Sequence, residues 1–551
     1  MRARLLLLLL CFLPSLIASR DDSHDSSSDS DDDEACPSLP LSDHLLEFYI
    51  GGKWVAPTPL TAAADDETTT TTNSSSFQTM NVINPSTEES IATIALGSLA
   101  DTNAAVQAAR DALSTWSQQT SIPERIALVE QLLHIYDQRQ EEMAQLISAE
   151  MGAPLDFARE AQVGSGLYHI EQFLQAMEYF EPEKLLPGVI MHDNDNENNP
   201  TTLIFQEPVG VVALITPWNW PMNQVTLKVI PALLVGCTCI LKPSEVAPLS
   251  SLLFAEMIHQ AGFPPGVFNL VNGDGVGVGT QLSSHMHVDM ISFTGSTRAG
   301  KLISQAAALS NLKKTSLELG GKGANIIFAD IVDDGLQDIV KAGVWSCFDN
   351  SGQSCNAPTR MLVERSIYDT AIQIANDTIH GDDIVFRPAH HEGDFYGPVS
   401  SRVQYERVQR YIQLGMDEGA TLVAGGLGRP DGVTRGYFVR PTIFADVTPD
   451  MTIMQEEIFG PVLSIMPFDT EEEALEIANG TPYGLSNYFY TRDKSRRRRL
   501  AKSLKSGMVE INGIGADEGA PFAAVRASGN GREGGLYGLE DFCVIKVVSG
   551  M

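Results

Sequence analysis

One cysteine in this chain stands in a setting that suits reactivity. Cys355 closes the stretch FDNSGQSC, residues 348–355, behind an asparagine, a glycine and a glutamine. A thiol there is either a nucleophile or one more buried cysteine in a turn. Asn219 sits in TPWNWP, residues 216–221. A side-chain amide held in a proline-bracketed loop can donate to a developing oxyanion, and a turn-stabilising asparagine fits the same residues. Glu318, in LELGGKGAN, is a carboxylate in a glycine-flanked turn, suited to general-base work or to a plain surface position. Lys242 and Glu245, in KPSE, can reach ribose hydroxyls or pair with each other at the surface. Gly295 and Ser296, in FTGSTRAG, fall just past an apolar run, where glycine permits close backbone approach and a helix start favours phosphate. The neighbouring NGDGVGVG is glycine-rich but does not fit the usual GxGxxG dinucleotide fingerprint.

These residues have to be positioned by regular elements, and the sequence shows which. GVVALITP, CTCILKPS, VFNLVNG and DMISFTGS each read as a buried strand followed by a turn, with helical stretches such as LSSLLFAEMIHQAG between them. The alternation predicts an α/β fold with a parallel, doubly wound sheet that binds ligands at the carboxyl ends of its strands. A second series of the same kind runs over about residues 320–520. Upstream, ADTNAAVQAARDALSTWSQQ and the segment at 121–152 carry apolar residues at helical spacing behind Asp or Ser starts. PGVIMHDNDNENNPTTLIFQ, residues 187–206, predicts a hairpin with a polar tip, and TAAADDETTTTTNSSS, residues 61–76, an inserted surface loop.

Composition narrows the function classes. The 551 residues are 43% hydrophobic, enough for two or more cored domains, and carry a net charge of −33. The acidic, serine-rich block at 21–35 cannot bury enough apolar surface to fold; without its acids the rest of the chain keeps a charge of about −25, which excludes nucleic acid as a natural partner. The arginine run 496–499 reads as a solvated or salt-bridged helix face. Arg2 and Arg4 ahead of a Leu-rich run, with Ser15, Ala18 and Ser19 behind it, have the order of a secretory signal peptide too short to span a bilayer, and no later stretch is long and apolar enough to do so. Asn73, Asn376 and Asn479 stand in glycosylation sequons. The seven cysteines form no disulfide framework, and neither Cys237 and Cys239 nor His285 and His287 has the companions of a zinc site, so no metal is expected.

TPWNWP, KPSE, FTGSTRAG, LELGGKGAN, FDNSGQSCNAPTR, EEIFGPV and SGNGREGG, in this order, closely resemble the motif series of the aldehyde dehydrogenase superfamily over about residues 46–549. The resemblance implies an NAD-dependent, hydrolytic, non-acylating enzyme, with NADP as the second choice of cofactor. Cys355 would be the nucleophile, Asn219 the oxyanion donor and Glu318 the general base, with Lys228 and Glu533 supporting proton transfer. Lys242, Glu245, Gly295, Ser296, Glu457, Phe459 and Trp218 would hold the cofactor. Trp220, Leu227, Ser354, Asn356 and Phe522 would line a tunnel for an aliphatic or aromatic aldehyde. Ala523, Ala524 and Arg526 depart from the family's usual PFGG-and-lysine stretch.

The same resemblance implies a variant Rossmann cofactor domain in two parts, 45–186 and 207–319, and an α/β catalytic domain at 320–527. The hairpin 187–206 and the tail 528–551 would form an arm joining subunits of a homodimer or homotetramer. Residues 1–19 would be the leader and 20–44 an acidic disordered segment. The chain would then enter the secretory pathway or a membrane-bounded organelle, with a cytoplasmic protein as the alternative. The rival readings are a coenzyme A-acylating relative and a retired enzyme kept as a binding or structural protein. The first tends to lack the base that Glu318 supplies, and the second would have lost Cys355, Asn219 or Glu318.

Overall fold

Two seven-stranded sheets organise the chain in the computed structural model, which describes residues 38–59, 77–185, 202–381, 384–393 and 395–549. In the first sheet the spatial order is Lys314–Glu318, Met290–Thr294, Val211–Ile215, Thr238–Lys242, Phe268–Leu270, followed by the short Phe48–Ile50 and Lys53–Val55. The first five are parallel, and the four apolar runs picked out in the sequence are strands 211–215, 238–242, 268–270 and 290–294. Burial on both faces explains why they read as unbroken apolar runs. The chain order reverses between Val211–Ile215 and Met290–Thr294, the point at which such sheets open a ligand crevice.

The second sheet runs Thr421–Ala424, Thr442–Ala445, Val462–Phe468, Arg360–Glu364, Ala324–Ile327, Ser486–Tyr490, Met508–Ile511, parallel except for its first pair. Only residues 319–323 separate the last strand of one sheet from the first residues of the other. Their glycines are dictated by space: a Cβ on Gly321 would lie 2.2 Å from the Cys355 carbonyl oxygen, and one on Gly320 2.2 Å from Glu457 Oε2.

The amphipathic segments are helices. Leu99–Ser114 starts at a reciprocal Ser98–Asp101 cap, and in Ile122–Gln138 Glu124 accepts from the Ser121 N–H at 2.7 Å. The segment 121–152 is two helices rather than one, broken at Arg139, whose guanidinium bonds Glu142 and Glu256. Glu183–Leu185, Thr202–Pro208 and Cys543–Ser549 make a separate antiparallel sheet, with Cys543 opposite Pro208 and Ser549 opposite Thr202. The strands flanking the expected hairpin and the C-terminal strand are therefore present, and the tip at 187–201 lies outside the described residues.

The leader at 1–19, the acidic block at 21–35, the insertion at 61–76 and the Asn73 sequon also lie outside them. Within the segment expected to be disordered, residues 38–44 are described, and His44 stacks on Trp54 with ring centroids 4.1 Å apart, next to Leu45, whose carbonyl accepts from the Ala95 N–H. The arginine run takes its salt-bridged form: Arg496 bonds Asp330 and Glu471 and lies over the Phe328 ring, and Arg499 also bonds Glu471. Among the described residues no helix is long and apolar enough to cross a membrane.

Arg360 is the most exacting core position. It is 1% exposed and donates to the carbonyls of Lys322, Ile477 and Ala478 at 2.8 to 3.0 Å, tying the inter-sheet crossing to a neighbouring helix end. Arg360→Met would leave the buried Lys322 and Ala478 carbonyls without this donor, at about 1–3 kcal/mol for each, while the Ile477 carbonyl keeps the Gly480 N–H. The expected outcome is a melting temperature lowered by several degrees, read by differential scanning calorimetry.

Candidate active site

Loops at the ends of the two sheets meet and hold one another. After strand Val211–Ile215 the chain turns through residues 216–220 into helix Pro221–Val235. The Asn219 side chain donates through Nδ2 to the Gln353 carbonyl at 2.8 Å, while the Asn219 carbonyl accepts from Asn350 Nδ2 at 2.8 Å and Gln162 Nε2 at 3.1 Å. Gln353 is itself fixed, accepting from the Ser400 N–H and donating to the Asn350 carbonyl. Asn350, Ser351 and Gly352 have φ of 52°, 57° and 72°, three consecutive left-handed residues of which only the last is glycine. Such backbone is costly and persists because its surroundings enforce it.

Cys355 follows directly and is gripped on both sides. Trp220 Nε1 donates to Ser354 Oγ at 2.9 Å, and the Asn356 carbonyl accepts from Tyr488 at 2.8 Å and Ser486 at 3.0 Å. Cys355 retains some exposure, whereas Cys237, Cys239, Cys347 and Cys543 are buried. Its surroundings push the thiol far above its ordinary range, chiefly through burial and then through the charges of Glu457 and Glu318.

Three carboxylates surround this thiol in different states. Glu318 is 2% exposed, so it is no surface acid, and neither of its oxygens has a hydrogen-bond partner. Burial raises its pKa well above the carboxylate range, and the charge of Glu533 adds to the effect. Glu533 forms a buried ion pair with Lys228, whose Nζ also donates to Thr294 Oγ1 at 2.7 Å. Glu457 accepts from the Gly321 N–H at 2.8 Å and is raised by burial to about 7. Phe459, at φ 63°, sets its ring edge against Trp218 with centroids 5.4 Å apart.

The crevice at the strand reversal has the features of a dinucleotide site. Gly295 follows strand Met290–Thr294 with its N–H on the Glu318 carbonyl, and Ser296 caps the thirteen-residue helix Thr297–Leu309. Lys242 ends its strand 2% exposed, bonding the Pro243 carbonyl at 2.8 Å and Glu245 at 3.3 Å. Lys242 and Glu245 are thus an ion pair with a buried lysine, not one lying on open surface.

On the other side of Cys355, Phe157 meets Trp220 edge to face at 5.6 Å, Leu227 is buried, and half-buried Phe522 lies in a short strand against Arg532–Glu533. Arg526 does not point a charge at this region. It adopts φ 60° and donates to the carbonyls of Asn479 and Tyr483. Sequence reasoning missed Asn223 and Gln224, which share the helix face of Trp220 and Leu227, and His169, which bonds Asn223. The spacing i+3 and i+4 from Trp220 was the available signal. It also missed Lys322, 2% exposed and held by its surroundings at a pKa of about 7, for which burial is the first cause.

This architecture has known relatives. Residues 71–548 match the model of the aldehyde dehydrogenase family. A 3-succinoylsemialdehyde-pyridine dehydrogenase from a Pseudomonas species is 47% identical over 92% of this chain and 98% of its own. The crystal structure of an aldehyde dehydrogenase from Bartonella henselae shares 51% identity with a TM-score of 0.83, covering 92% of this chain and 99% of that one. A cysteine-to-alanine variant of aldehyde dehydrogenase C from Pseudomonas syringae, in complex with NAD+ and octanal, is similar at 41% identity and TM-score 0.84, covering 93% and 98%. The chain belongs to the aldehyde dehydrogenase family.

The raised thiol pKa has a direct consequence. Alkylation of Cys355 by iodoacetamide in the cofactor-free protein, followed by peptide mass spectrometry, is expected to keep accelerating through pH 9 rather than level off near pH 7, because the thiolate fraction is still growing there.

Proposed function

We propose that the protein oxidises an aldehyde to the carboxylic acid with NAD and water. The observation that carries the reading is the convergence of Cys355, Asn219 and Glu318 on one crevice, with the Asn219–Gln353 hydrogen bond locking the amide to the thiol's own loop. Cys355 gives up its thiol proton to solvent, its sulfur attacks the aldehyde carbon, and the second N–H of the Asn219 amide, together with the Cys355 backbone N–H, stabilises the oxyanion. NAD, when bound, accepts the hydrogen and electron pair that leave the substrate carbon. Cys355 then carries a thioester.

Glu318 takes a proton from water, the water oxygen adds to the thioester, and the carbon–sulfur bond breaks to release the acid. A carboxylate whose pKa burial has raised is a stronger base for that step than an exposed one. The buried Lys228–Glu533 pair, with Thr294, gives Glu318 charged and hydroxyl neighbours through which its proton can be exchanged. Lys242, Glu245, Gly295, Ser296, Trp218, Glu457 and Phe459 would hold the dinucleotide. The Glu245 carboxylate favours a free 2′-hydroxyl over a 2′-phosphate.

The relatives suggest two kinds of substrate. The Pseudomonas syringae enzyme binds a plain alkyl aldehyde, and the name of the Pseudomonas dehydrogenase describes an aldehyde chain carrying a ketone on a pyridine ring. A homodimer or homotetramer belongs to the same proposal: the strand Cys543–Ser549 lies at a sheet edge and exposes Val544, Ile545 and Val547. The leader-like residues 1–19 support a route through the secretory pathway.

NADH formation from hexanal tests the reading. The wild-type protein is expected to turn over without coenzyme A, Cys355→Ala to fall to background, and Asn219→Ala to lose roughly 10²–10³-fold in kcat. Glu318→Gln should give a single-turnover burst of NADH and then stall as the thioester accumulates. Strict dependence on coenzyme A would move the reading to an acylating enzyme. A folded, NAD-binding protein with no turnover would move it to a retired one.

A further inference from the structure

The tunnel helix carries polar groups between Trp220 and Leu227. Asn223 and Gln224 follow Trp220 by three and four residues, so they lie on its side of helix Pro221–Val235, about 5 Å further from the Cys355 loop. Leu227 continues the same face one turn later. Between the indole that touches Ser354 and this leucine, an apolar tunnel would place two more apolar side chains. Here there are two amides.

Neither amide is idle. Gln224 Nε2 donates to Asn223 Oδ1 at 3.0 Å, and Asn223 Nδ2 lies 2.9 Å from His169 Nε2. His169 belongs to helix Gly164–Ala176, which comes close because Gly166 has no side chain: a Cβ there would be 3.0 Å from Met222 Cβ and 2.3 Å from the Tyr136 hydroxyl. Since His169 Nε2 accepts from Asn223, its ring proton is assigned to Nδ1. Burial pushes His169 down to about 3, so the imidazole is neutral at ordinary pH. Gln224 Oε1 also lies 3.5 Å from Lys228 Nζ, so the chain from His169 through Asn223 to Gln224 is oriented, ends at the mutually neutralised Lys228–Glu533 pair, and keeps the second N–H of each amide and the imidazole Nδ1–H to offer.

Resting on the aldehyde dehydrogenase reading above, we propose that Asn223, Gln224 and His169 are specificity-determining residues. They select aldehydes that carry an uncharged hydrogen-bond acceptor, a ketone oxygen or a pyridine-type nitrogen, about one helical turn from the reacting carbon. An alkyl chain of the same length would strip water from these amides without replacing it, which buried polar groups penalise. A carboxylate or ammonium group would find no unneutralised opposite charge here, because Lys228 beside Gln224 is already paired with Glu533.

The test compares kcat/KM for 4-oxohexanal and hexanal with NAD. The wild-type protein is expected to favour the oxo-aldehyde by about tenfold or more, largely through KM. Asn223→Leu should bring the ratio close to one, and His169→Gln, which can still hydrogen-bond Asn223, should keep part of the preference. A wild-type ratio near one, or a ratio unchanged in Asn223→Leu, overturns the proposal. If neither aldehyde is oxidised, the dehydrogenase reading fails on its own, and calorimetric titration with 2,5-hexanedione, which needs no chemistry, still reads the strip. Tighter binding to wild type than to a folded Asn223→Leu supports it, and equal binding or no binding to both overturns it.

Discussion

Everything at the site depends on how closely two pieces of backbone can approach. The five residues 319–323 carry the chain from one sheet to the other directly beneath the Cys355 loop, and at Gly321 there is room for a hydrogen and nothing larger. That approach sets the carboxylate ending one sheet and the thiol preceding a strand of the other in a single crevice. It also explains the Gly321–Glu457 hydrogen bond and the Arg360 clasp on the Lys322 carbonyl, which fix the crossing from the far side. A peptide with side chains here would force the two sheets apart and leave each with half a site.

The price of this closeness is electrostatic. Glu318, Glu457 and the Lys228–Glu533 pair are drawn into a volume with little water, where a carboxylate is costly and its proton is held more tightly. Only Lys228 and Glu533 neutralise each other outright. Glu318 is left without a hydrogen-bond partner, and an isolated buried carboxyl is a poor way to stabilise a fold but a good way to obtain a base. The left-handed run at Asn350–Gly352 belongs to the same economy of strain, held because Asn219, Gln162, Gln353 and Ser400 bond across it.

Much of this was legible in the sequence because its signals are local. Parallel strands buried on both faces announce themselves as apolar runs, and helix starts at Ser98 and Ser121 carry their own caps. Cys355, Asn219 and Glu318 each sit in or beside a short stretch of glycine, proline or amide residues, but each alone also fits an ordinary turn, core or surface role, and only the ordered motif series assigns them chemistry. What stayed hidden depends on partners distant in the chain. Arg360 looks like any strand arginine until its three carbonyl acceptors arrive from Lys322, Ile477 and Ala478. Asn223 and Gln224 read as unremarkable helix residues, since nothing nearby announces that His169, more than fifty positions earlier, will meet them. The break at Arg139 is likewise invisible in a segment whose apolar period continues past it.

The Lys228–Glu533 pair joins two residues 305 positions apart, and the helix and strand that follow Glu533 complete the arm sheet. Asn219, Glu318 and Cys355 therefore all precede, by well over a hundred residues, the partner of the buried Lys228. Burying Lys228 with its counter-charge requires the segment that carries Glu533 to be present and docked. A chain cut short before residue 533 would leave Lys228 buried without its counter-charge, so losing a segment far along the sequence destabilises the first sheet.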